Sequence, residues 1–180
     1  MENPGEQLVG QYLRQIKNCD FIEYNLQTIF KQGEIDVVGI DSANNKIYIC
    51  EVATHLETGL QYVKNKQPNN VERFISKFDK NIEYAKKYFD NYDCFFMLWT
   101  PYIKIPKKEI TKHNQLKDLK DIETYLETKH KIKLEIIYNE KYLNCIQELR
   151  EKARNTTHEM KSPIMRFLQI EEKLKGICKA

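Results

Sequence analysis

Two runs with strand character lie almost back to back in the chain: residues 35–40 (IDVVGI) and 46–52 (KIYICEV). Only the five polar residues DSANN separate them. A link that short closes a hairpin, whereas a parallel pair needs a crossover of about a dozen residues. The two runs must therefore pair antiparallel. An apolar stretch over residues 20–30 precedes them, closed by the turn signal Lys31-Gln32-Gly33. Three strands with short links predict an antiparallel meander.

Around that meander the apolar spacing turns helical. Leu8, Val9, Tyr12, Leu13 and Ile16 repeat at helical intervals, with Glu6 in the first turn, where an acid suits the helix dipole. Residues 69–89 carry Val71, Phe74, Ile75, Phe78, Ile82 and Ala85 on one stripe, a long amphipathic helix. Residues 94–100 (CFFMLWT) are apolar almost throughout, as in a strand buried on both faces. A polar helix over 115–129, a strand over 133–138 and helices over 140–154 and 163–174 complete the order. The fold class expected is α/β: a mixed β-sheet with an αβββαβ core, flanked by helices, with extra C-terminal helices. At 180 residues the chain makes one domain over 1–155, and 156–180 forms a helical extension packed on it.

Composition removes several function classes. Mean hydropathy is −0.66, with 41% hydrophobic and 31% charged residues, which excludes a disordered or low-complexity chain. No 18-residue apolar run is present, so no membrane-spanning helix is expected, and the N-terminus lacks the pattern of a secretory signal. The five cysteines have no CxxC spacing, which excludes a zinc ribbon or thioredoxin motif and suits a reducing cytoplasm. The net charge of +3 says little by itself, but it is unevenly spread. Residues 1–55 hold 4 basic and 8 acidic side chains, and residues 131–180 hold 11 and 7.

Two acids of that first block matter most. In an antiparallel hairpin the start of one strand faces the end of the next, so Asp36 and Glu51 should meet at one edge of the sheet. Adjacent carboxylates repel unless a cation or a proton intervenes. A hard divalent ion such as Mg²⁺ takes carboxylate oxygens and water. The plain alternative is a pair of solvated edge residues.

The motifs GEIDVVG (33–39) and CEVAT (50–54), with the opening GEQLVGQYL, resemble the PD-(D/E)xK nuclease superfamily, closest to small bacterial endonucleases and archaeal Holliday-junction resolvases. The resemblance covers residues 5–55. It implies a restriction-endonuclease-like sheet and a Mg²⁺- (or Mn²⁺-) dependent DNA endonuclease with no small-molecule cofactor. Asp36 matches the metal-binding Asp, Glu51 the acid of the (D/E)xK element, and Glu6 the helix Glu that joins the metal site. The carbonyl of Val52 would be a further ligand, while Glu34 matches a loop residue. DNA is the implied partner, and a homodimer is open because many members pair to cut both strands.

One position departs from the pattern. The superfamily lysine should stand where this chain has Ala53, which can neither position water nor neutralise charge. Three readings remain: an engineered Lys-to-Ala variant that is catalytically dead; a lysine that has migrated, from Lys46, Lys64 or Lys66; or a natural inactive relative that binds nucleic acid or serves as a non-catalytic subunit of a defence or repair complex.

Secondary signals concern phosphate contact. Lys64 and Lys66 follow the acidic strand, and His55, Gln61 and Tyr62 lie between, each with an ordinary loop reading beside the functional one. Lys104, Lys107, Lys108 and Lys112 cluster in a loop, and Arg150, Lys152 and Arg154 form a second group. Lys77, Lys80, Lys86 and Lys87 alternate with acids on the long helix and read as its wet face. The aromatic residues fall at core spacing and predict no base-stacking platform.

Overall fold

The pairing expected of the meander is present in the computed structural model, which describes residues 3–29, 33–105 and 113–178. Strands β1 (Phe21–Gln27), β2 (Glu34–Asp41) and β3 (Lys46–Val52) run antiparallel, with Val37 opposite Cys50 and Asp41 opposite Lys46. Helix α1 (Pro4–Gln15) precedes them. Its start is closed by a capping box: the Asn3 side chain accepts from Gly5 N–H at 2.9 Å, and Glu6 reaches back to Asn3 N–H at 3.2 Å.

After β3 the chain makes a small ribbon, β4 (Val63–Lys64) and β5 (Gln67–Pro68), before the long helix α2 (Asn70–Tyr88). The Asn69 side chain does not cap α2; instead Asn70 is buried, accepts from Tyr62 N–H at 2.7 Å and donates to Leu60 O at 2.8 Å. Helix α2 carries the chain across the sheet, so β6 (Asp93–Trp99) returns parallel to β3, with Trp99 beside Val52. Helix α3 (Gln115–His130) leads to β7 (Glu135–Ile137), parallel to β6. The sheet order is β1-β2-β3-β6-β7. Helices α4 (Asn139–Asn155) and α5 (Pro163–Ile177) end the fold.

Strand alternation divides the core into two apolar layers. Val38, Ile47 and Ile49 face Phe74, Phe78 and Ile82 of α2 and Leu119, Ile122 and Leu126 of α3. Val37, Cys50, Met97 and Trp99 face Val9 and Leu13 of α1, Leu149 of α4, and Met165 and Leu168 of α5. The result is a mixed five-stranded sheet between two layers of helices. Residues 163–177 thus pack into the same core as α1 and α4. Among the described residues, no helix is long and apolar enough to cross a membrane.

Candidate active site

Asp36 and Glu51 lie one step beyond the last ladder pair of β2 and β3, on the face that meets α2. Both are buried; Glu51 is fully so. An Asp36 oxygen accepts from Val52 N–H at 2.7 Å, which ties the start of β2 to the end of β3. From the facing helix, Lys77 reaches down and pairs with both acids: its Nζ is 3.1 Å from Asp36 Oδ1 and hydrogen-bonds Glu51 Oε2. One turn further along α2, Asn81 donates to the other Glu51 oxygen at 2.7 Å. Lys77 and Asn81 are four residues apart and so share one helix face.

The electrostatics of this cluster are unbalanced. Burial pushes the Glu51 carboxyl up, to about 8, and the charge of Asp36 adds to the rise; Lys77 and Asn81 pull against them. Lys77 moves up as well, because its two acids outweigh its burial. The cluster thus favours a proton held on Glu51 over two full carboxylates against one ammonium. Two buried carboxylates in one place are a donor set that fits Mg²⁺, which keeps several waters and needs only one or two protein carboxylates. The two acids that would hold such an ion are the pair now spanned by Lys77.

Glu6 stands at the margin. Its carboxyl is raised by partial burial and feels the charge of Asp36, while its oxygen is engaged at the cap of α1. Gly5 lets the start of α1 pack against the segment after β3, since a Cβ there would lie 2.0 Å from Thr54 Cγ2. Among the described residues, no three His, Cys, Asp or Glu side chains gather closely enough to hold a metal ion, so Glu6 does not complete a three-acid cluster. Ala53 is buried in the apolar layer with Leu60, Phe74 and Ile103, and its N–H donates to Trp99 O at 2.8 Å. It shares the strand face of Glu51, two residues away.

A cleft of about 540 Å³ opens above α2, between the adjoining ends of β1 and β2 and the small ribbon. Lys64, Arg73, Lys77 and Lys80 line it together with Glu34 and Glu72. Lys64 is ion-paired with Glu72 at 3.1 Å, and the Arg73 guanidinium lies 4.2 Å from the centre of the Tyr62 ring. His55 meets the same ring edge-on.

The remaining expected contacts are scattered. Lys66 is exposed on the ribbon. Lys46 begins β3, five residues from Glu51, roughly 17 Å along a strand. Lys104 is exposed in the segment after β6, at the sheet end that carries Glu51. Lys107, Lys108 and Lys112 lie outside the described residues. Arg150 and Arg154 sit on α4, which covers the opposite face of the sheet, and Arg150 is bonded to Glu171 of α5 at 3.3 Å. They do not converge with Asp36 and Glu51.

Lys77 and Asn81 are the side chains at the acid pair that a reading of the apolar positions does not find: Lys77 reads as part of the wet face of α2, and the structure turns it toward Asp36 and Glu51. A signal is present in the spacing. Asn70, Phe74, Lys77, Asn81 and Tyr84 follow the 4-3-4-3 intervals of a single helix stripe, so three polar residues, Asn70, Lys77 and Asn81, interrupt the face that meets the sheet. In comparisons with protein-family models and with curated proteins, nothing matches this chain.

Proposed function

We propose that this protein is a divalent-metal-dependent DNA endonuclease of the PD-(D/E)xK type, built on a restriction-endonuclease-like αβββαβ core. The observation that carries the reading is the pair Asp36 and Glu51: two buried acids brought together on one ammonium, at the ends of paired strands, next to a cleft lined by Lys64, Arg73, Lys77 and Lys80 as well as Glu34 and Glu72. The order α1-β1-β2-β3-α2-β6 supports the same core.

Asp36 and Glu51 would hold Mg²⁺ or Mn²⁺ in this reading, with Glu6 and the Val52 carbonyl as the neighbouring groups the resemblance implies. A hard divalent ion supplies positive charge against a phosphate oxygen and lowers the pKa of water. The chain's own part is to seat the DNA backbone in the cleft through Lys64, Arg73 and Lys80 and to hold the two acids rigid through Val52 N–H and Asn81. In hydrolysis the water oxygen bonds to phosphorus and the P–O3′ bond breaks. One water proton ends on the 3′-oxygen and the hydroxyl stays on the 5′-phosphate.

The test is cleavage of supercoiled plasmid and of end-labelled single-stranded DNA with Mg²⁺ or Mn²⁺. Divalent-dependent nicking that is lost in both Asp36→Asn and Glu51→Gln is expected. The second reading is a non-catalytic protein that binds nucleic acid, favoured by Ala53. DNA binding without cleavage, and without metal binding, would establish that reading instead.

A further inference from the structure

The gap at position 53 has a structural counterpart on the facing helix. Ala53 and Glu51 share one face of β3, so a lysine at 53 would aim at the acid pair. That space is instead served from α2, where Lys77 bonds to both Asp36 and Glu51. We propose that Lys77 is the catalytic lysine of this site, delivered from α2, and that Ala53 is the residue this arrangement requires. The inference rests on the endonuclease reading above and specifies its machinery.

Three observations support it. First, Lys77 is half-buried, not enclosed: it pairs with the acids and also lines the cleft where a phosphate would lie. Its ammonium is therefore within reach of both the acids and a phosphate oxygen. Second, the cluster is poorly explained by stability alone. Taking two acids out of water beside a half-buried lysine carries a large hydration cost, and a well-packed apolar trio is often the more stable choice. Asn81, also buried, is committed to orienting Glu51. Third, Ala53 is itself buried beside Leu60, Phe74 and Ile103, so among the described residues the ammonium at the acid pair comes from α2 and not from β3.

Lys77 then has two partners in turn. Without a divalent ion its ammonium is the counter-charge of the acid pair. With the acids otherwise engaged it neutralises the charge that builds on the phosphate oxygens as water attacks. It gives up no proton in this role, and the bond changes of hydrolysis are those given above.

The test uses the full chain and the variants Lys77→Met and Lys77→Met/Ala53→Lys, each checked for a cooperative melt. Two readouts are taken: Mn²⁺ binding by calorimetry, and cleavage of plasmid DNA with Mn²⁺. Removing the competing ammonium should tighten Mn²⁺ binding about tenfold while cleavage falls about 100-fold or more, the usual scale for a lost transition-state contact. Recovery of cleavage in the double variant would confirm the role, since a merely structural lysine would not be replaced from the strand. Cleavage within about threefold of wild type in Lys77→Met overturns the proposal and leaves the endonuclease reading intact, as does weaker Mn²⁺ binding in a folded Lys77→Met. A wild-type chain that binds Mn²⁺ but cleaves only when Ala53→Lys is introduced also overturns it. A wild-type chain that neither binds Mn²⁺ nor cleaves in any form defeats the endonuclease reading, and this inference with it.

Discussion

Glu51→Gln should make the protein more stable while destroying its site. The Glu51 carboxyl is fully buried, and burial together with Asp36 raises its pKa from 4.5 to about 8. A tenfold change in proton affinity corresponds to about 1.4 kcal/mol, so a rise in this direction is worth a few kcal/mol, on the order of the penalty for burying one charge. The sign follows from proton counting. Between the two values the folded protein keeps a proton that the unfolded chain has released. The stability from that proton is complete below 4.5 and is lost as pH rises through about 8. Glutamine is neutral and keeps an oxygen for Asn81, but it gives Lys77 a poorer partner, which returns part of the gain. The variant should match wild type within about 1 kcal/mol near pH 5 and exceed it by about 2 kcal/mol near pH 9, a rise in Tm of about 4–8 °C. Urea unfolding at both pH values, in chelator, measures this. A Glu51→Gln protein that is less stable at the higher pH would refute the reasoning. The Lys77 pair would then outweigh the cost of burying the charge.

Two further outcomes follow from the same contacts. Asp79 of α2 receives bonds from Tyr125 at 3.0 Å and Lys129 at 2.9 Å and meets His130 at 2.6 Å, which docks α3 on α2. Asp79→Ala should cost about 1–3 kcal/mol in urea unfolding at neutral pH. Burial opposes ionisation of Asp79, but the bonds from Lys129, His130 and Tyr125 hold its carboxyl below the ordinary 3.8. Its contribution is therefore present above that value, and the wild-type advantage should fade as pH drops through the depressed value. Arg73→Ala should weaken DNA binding and reduce the salt slope of log K by about 0.9, one phosphate contact, in fluorescence anisotropy at several salt concentrations. An unchanged slope would remove Arg73 from the phosphate track.

The sequence is most legible where periodicity and burial coincide. Strand β3 falls on 46–52 as expected, and α2 spans Asn70–Tyr88 against an expected 69–89. The meeting of Asp36 and Glu51 follows from hairpin geometry alone, because a five-residue link permits one pairing. The mixed sheet is legible from the long helix between β3 and the apolar run at 94–100, but the register of β6 against β3 is not, since a uniformly apolar run carries no sign of its neighbours. The ribbon at 63–68 has two-residue strands, too short for alternation to show. Lys77 escapes a reading by sequence because a lysine among acids on a helix looks solvated until the face that meets the sheet is known. The pairing of Arg150 with Glu171 of α5, 21 residues further along the chain, is not legible either, because a basic cluster does not reveal its acidic neighbours.

The central claim, that Asp36 and Glu51 form a divalent-metal site, is tested most directly by calorimetric titration of the wild-type chain and Asp36→Asn with Mn²⁺. One saturable site in the wild type, absent from a folded Asp36→Asn, is the predicted result. No saturable binding in the wild type, or equal binding in the variant, would contradict the account.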